Sequence, residues 1–162
     1  MTVLVDSDIL IEVSGGRNSD VVSTWIELSN SDAAVPYSPL SVAELWAGGR
    51  PNEFDALGNL FRALTCTPID EEVGRQADLY VQRYRRSHGV EVADALIAAN
   101  AVASRAQLWT RNRKHYPMKG VSFFRGDFGL ARGGRLVDVD PGGPLPGILW
   151  NRTRNGNDPG CS

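Results

Sequence analysis

The chain has 162 residues, of which 42% are hydrophobic and 22% charged, the balance of a globular domain rather than a disordered segment. Seventeen Lys+Arg against nineteen Asp+Glu leave a net charge of −2, which excludes a grip on nucleic acid by bulk electrostatics and requires any basic footprint to be local. Two cysteines, Cys66 and Cys161, with no CxxC pair exclude a disulfide scaffold and a zinc finger, and they suit a reducing cytoplasm.

Thr2-Val3-Leu4-Val5 reads as a buried parallel strand. No basic n-region accompanies it, so no signal peptide is expected, and no apolar run is long enough to span a membrane. At Asp6 the strand gives way to a helix. Val21 to Leu28 is helical in pattern, and Ala33-Ala34-Val35 is a second strand. Ser38 caps a helix with Pro39 in its first turn, running to Gly48-Gly49. A further helix covers 52–64, and Thr65-Cys66-Thr67 is a short strand. Asp70 caps a long charged helix reaching about Ser87, and Glu91 to Arg105 is an alanine-rich helix. Gln107 to Thr110 and Val121 to Phe124 are the last strands. Strand and helix alternating in this way predict an α/β domain over 1–124 with a parallel sheet. Residues 125–162 hold nine of the seventeen glycines and four of the nine prolines, which predicts an irregular tail. Asp138, Asp140 and Trp150 fall in that tail and carry little functional weight.

In an open α/β sheet the ligand crevice lies at the carboxyl ends of the strands. Asp6 stands directly after the first strand. Asp94, with alanines on both sides in Val92-Ala93-Asp94-Ala95, is not placed like a solvated surface charge, and Glu91 lies on its helical face. Glu44 is an acid within an apolar helical pattern, and Asn112 follows the Leu108-Trp109-Thr110 strand. Each has an ordinary structural use as well: a helix cap at Asp6, a solvent-facing position at Glu44, a turn at Asn112. Carboxylates about 5 Å apart repel by roughly 3 kcal/mol per pair at an effective dielectric near 20. Such a cluster must hold protons or a cation, and oxygen donors without His or Cys select magnesium or manganese. A hard cation in an acidic cleft suits phosphodiester hydrolysis.

These residues carry a resemblance. Val3-Leu4-Val5-Asp6-Ser7-Asp8-Ile9-Leu10-Ile11, Ser41-Val42-Ala43-Glu44-Leu45, Val92 to Ala101, and Leu108-Trp109-Thr110-Arg111-Asn112-Arg113-Lys114-His115-Tyr116-Pro117 resemble, in order and spacing, the motifs of PIN-domain proteins, more narrowly VapC-type toxin ribonucleases. The resemblance implies a three-layer α/β/α sandwich with a central, mainly parallel sheet and a magnesium-dependent endoribonuclease site. It implies Asp6 and Asp94 as main metal ligands, with Glu44 completing an acidic triad. The family often has a fourth acid where this chain has Asn112. That departure removes one negative charge and weakens the case for a second metal, although Asn112 can still orient water, and Glu91 could supply a carboxylate. Asp8 reads as a local turn contact. The resemblance also implies a cognate antitoxin protein and a homodimer.

Arg111, Arg113, Lys114 and His115, following a strand at the catalytic edge, are placed to meet an RNA backbone. Arg83, Arg85, Arg86 and His88 are a weaker group, because cations are favoured at a helix C-terminus by the dipole alone. Two rivals stand beside the nuclease. Asp6-Ser7-Asp8 also fits a haloacid-dehalogenase-like phosphatase, but Leu10 occupies the position where that family has Thr or Val. A PIN-like domain that only binds a partner is the other, and the intact Asp6, Glu44 and Asp94 argue against it.

Overall fold

A computed structural model of the chain describes residues 1–50 and 53–126, so the expected tail, with Cys161, lies outside the described residues apart from its first two positions. Four short strands, β1 (Val3–Val5), β2 (Pro36–Tyr37), β3 (Thr65–Cys66) and β4 (Gln107–Trp109), form one parallel sheet in the order β3-β2-β1-β4. The chain steps outward from β1 to β3, then returns to place β4 on the other side of β1. The order reverses at β1, so the crevice of this sheet opens at the carboxyl ends of β1 and β4.

Period-2 alternation in β1 explains the layering. Val3 and Val5 face one core and Leu4 the other, all three fully buried. The first core is closed by α1 (Ser7–Gly15), α2 (Ser19–Ser29), α3 (Pro39–Gly48) and α4 (Phe54–Ala63), through Ile9, Leu10, Trp25, Leu45 and Phe61. The second is closed by α5 (Glu71–His88) and α6 (Val92–Ala103), with Leu4 and Leu108 against Tyr80, Ile97 and the small Ala77, Ala98 and Ala101. This is the α/β/α sandwich expected. Buried Asn100 ties α6 to the chain ahead of α5 by donating to the Pro68 carbonyl at 3.0 Å.

Helix ends follow the capping residues. Asp6, Asn18, Ser38 and Asp70 each accept from backbone N–H groups of the first turn, and α1 and α5 end at Gly16 and Gly89, both in the left-handed region. Two strands differ from expectation. Ala34 makes only an isolated bridge to Thr2, and the second strand is Pro36–Tyr37, because a proline without an N–H is tolerated at a strand's first position. Val121 to Phe124 contributes one parallel bridge, Leu108 to Phe123, rather than a strand.

Candidate active site

Asp6 links β1 to α1 and is 5% exposed. Its backbone N–H donates to the Trp109 carbonyl at 3.0 Å, which locks the end of β1 to the end of β4. As the N-cap of α1 its Oδ1 accepts from the Ser7 amide at 2.8 Å, and its Oδ2 accepts from the Tyr116 hydroxyl at 2.8 Å. Asp94 lies in the first turn of α6, where its carboxylate accepts a long 3.5 Å bond from the Glu91 amide. Burial pushes the Asp94 carboxyl above the usual carboxylate range. The Glu91 N–H and the facing His115 oppose that rise, while the charges of Asp6 and Glu91 add to it. His115 Nδ1 stands 3.7 Å from Asp94 Oδ1. Asp6 and Asp94 therefore share one electrostatic neighbourhood, as do the residues just after β4.

Asp8 reaches well beyond the local contact expected of it. Its Oδ2 accepts from the Arg111 amide at 2.9 Å and the Thr110 hydroxyl at 3.3 Å, more than a hundred residues along the chain, while Oδ1 is buried without a hydrogen-bond partner. Burial and then the charge of Asp6 push its carboxyl up to about 6, against the lowering effect of those donors. A carboxyl raised in the folded state takes up its proton on folding at a pH where the unfolded chain has already lost it. The contribution of this group to stability is thus fully present below about 4 and is lost as pH rises through about 6. Urea midpoints in EDTA between pH 4 and 7.5 are expected to show this decline, and Asp8→Asn to flatten it; an identical slope in the variant would refute the assignment.

Glu44 is the third acid expected in the site. It is exposed on α3 and lines a cavity of about 460 Å³ between α1, α3 and α4, with Ile11, Arg17, Gly49 and Glu53 around it. Glu91 is exposed at the N-cap of α6. Asn112 is exposed after β4, its amide donating to Thr110 Oγ1 at 3.0 Å and its carbonyl opening the single turn Arg113–His115.

The basic group divides. Arg111 forms an ion pair with Glu12 of α1, and Arg113 donates to the Phe124 carbonyl at 3.1 Å while lying over the Phe123 ring. Those two head groups hold the loop to the body of the domain. Lys114 and His115 are exposed. Of the second group, Arg85, Arg86 and His88 sit in the last turn of α5, where they complement the helix dipole, and Arg83 lies over the Tyr84 ring. Sequence reasoning missed Tyr116 and Glu12, because nothing in their spacing links positions 116 and 111 to positions 6 and 12.

Among the described residues, no group of three or more His, Cys, Asp or Glu side chains is arranged to hold a metal ion. The donor set does fit a hard cation held by two carboxylates. Magnesium is commonly bound by one or two carboxylates with water completing the shell. Asp6 and Asp94 supply oxygen donors alone, and the Asp8 and Asp94 carboxyls are raised chiefly by burial, with the charge of Asp6 adding to it.

Comparison with known proteins identifies the family. Residues 3–120 match the family model of the PIN domain. The chain is 36% identical over 116 residues to ribonuclease VapC19 of Mycobacterium tuberculosis, covering 71% of this chain and 92% of that protein. It is also 36% identical over 117 residues to ribonuclease VapC10 of the same organism, covering 72% and 86%. In fold it is similar to VapBC2 from Rickettsia felis bound to a promoter DNA fragment (TM-score 0.64, 17% identity, 76% of this chain and 98% of that one). A similar likeness holds to VapBC-1 from nontypeable Haemophilus influenzae (TM-score 0.64, 17% identity, 78% and 98%). By the match to the family model over residues 3–120 and the 36% identity to two VapC ribonucleases, the chain belongs to the PIN-domain family, as a VapC-type member.

Proposed function

We propose that this protein is a magnesium-dependent endoribonuclease, the toxin of a toxin–antitoxin pair, with manganese able to substitute. The observation that carries the reading is the meeting of Asp6 and Asp94 at the point where the strand order reverses. Kinship with the VapC ribonucleases supports the substrate class. Asp6 and Asp94 would hold the cation, which when bound supplies positive charge for the phosphate oxygens and a water of lowered pKa. Glu44 joins the acidic set through the family resemblance alone. Asn112, whose side chain does not cap the turn it opens, orients water or a phosphate oxygen through its amide.

Lys114 and His115 contact the RNA backbone, with Arg111 and Arg113 fixing the loop that presents them. Lys114→Ala is expected to raise KM several-fold at unchanged kcat and to lower the salt slope of RNA binding by about one. An unchanged slope would remove Lys114 from the interface.

A free ribonuclease would damage its own cell, so a cognate antitoxin is the expected partner, and the likeness to VapBC complexes supports one. An acidic cleft favours an inhibitor that offers a basic residue. Homodimerisation and a cytoplasmic location belong to the same proposal. Among the described residues no helix is long and apolar enough to cross a membrane. The test is cleavage of total RNA by the purified chain with magnesium and with EDTA. Cutting with magnesium that EDTA abolishes is the expected result. A folded chain that neither cuts RNA nor binds manganese would overturn the proposal in favour of a binding module.

A further inference from the structure

Tyr116 is 4% exposed, packed in the core shared by α5 and α6, and its hydroxyl reaches out of that core to one atom, Asp6 Oδ2, at 2.8 Å. The other oxygen of the same carboxylate is taken by the Ser7 amide at 2.8 Å and the Ser7 hydroxyl at 3.4 Å. Asp6 is thus gripped from both sides, by its own helix and by a loop 110 residues away. Each carboxylate oxygen offers about two lone-pair directions. The Ser7 donors engage Oδ1, whereas the single Tyr116 donor leaves Oδ2 one direction free for a cation.

We infer that Tyr116 is a positioning residue of the catalytic centre, fixing the rotation of the Asp6 carboxylate so that Oδ2 keeps one lone pair directed at the cation. The inference rests on the metal reading above and adds to it a residue that touches neither cation nor RNA. Tyrosine suits the task. It is long and rigid, its ring is anchored by packing, and its hydroxyl carries one proton to give. A partner of this kind orients a metal ligand, and removing one commonly costs about 10–100-fold in metal affinity or activity.

Tyr116→Phe keeps the ring and deletes the donor. Tyr84→Phe is the control, because Tyr84 is also buried and its hydroxyl accepts from the Lys119 amide at 3.4 Å, away from Asp6. Manganese affinity by calorimetry, together with kcat and KM on RNA, is to be compared for wild type and both variants, with circular dichroism as the check on folding. The expected result is a loss of about tenfold or more in manganese affinity and a lower kcat at unchanged KM for Tyr116→Phe alone. Wild-type manganese affinity and kcat in a folded Tyr116→Phe would overturn the role. An equal loss in Tyr84→Phe would overturn it too, by tracing the effect to core packing. A wild type that binds no manganese would overturn the metal reading itself, and this inference with it.

Discussion

Asp94→Asn is expected to lower RNA cleavage by more than about a hundredfold while raising the thermal stability of the metal-free protein at neutral pH. The loss follows from the role proposed for Asp94, since removing an outer partner of a metal ligand already costs about 10–100-fold. The gain follows from the raised carboxyl, whose ionised form is disfavoured by burial and by Asp6 and Glu91. An amide is the same size, can still accept from the Glu91 amide, and brings no charge into that crowd. A centre that is strained without its cation shows this opposition between activity and stability. Thermal melts in EDTA beside RNA cleavage assays check both halves. A variant that loses activity and melts lower would show that Asp94 is needed for the fold.

Asp6→Ala is expected to lose activity equally but to destabilise, by about 2–4 kcal/mol. The N-cap of α1 accounts for about 1 kcal/mol. Leaving the buried Tyr116 hydroxyl without an acceptor adds about 1–3 kcal/mol. The urea midpoint should fall at constant slope, and Asp6→Asn, which keeps an acceptor, should recover most of the stability without the activity. A midpoint unchanged in Asp6→Ala would contradict the two hydrogen bonds that anchor this side chain. The two carboxylates thus share one chemistry and differ in structural role: Asp6 is built into the fold, and Asp94 is tolerated by it.

That difference was not legible in the sequence. Periodicity separated Val3-Leu4-Val5 from the helices around it, and the alanines flanking Asp94 marked it as an unusual acid, so the α/β class and two carboxylates of the proposed site could be read directly. Capping chemistry placed the starts of α3 and α5 at Ser38 and Asp70. Strand limits were harder. The expected strand Ala33-Ala34-Val35 stops short of Pro36, which is the first residue of β2, because sheet pairing depends on neighbours far along the chain. The same dependence hid Tyr116, Glu12 and the real partners of Asp8, which meet across 99 to 110 residues. It also hid the division of the basic loop, where Arg111 and Arg113, exposed like Lys114 and His115, are tied to Glu12 and to the Phe124 carbonyl. Local patterns reveal which side chains are unusual for their surroundings, whereas the pairing of those side chains is a property of the tertiary fold.

The central claim is that Asp6 and Asp94 together hold a divalent cation. The most direct measurement is anomalous diffraction from crystals of the protein soaked in manganese. The account predicts a manganese peak coordinated by both carboxylates, absent from Asp94→Asn crystals treated in the same way. A peak elsewhere, or none at Asp6 and Asp94 in a wild-type crystal at saturating manganese, would contradict it.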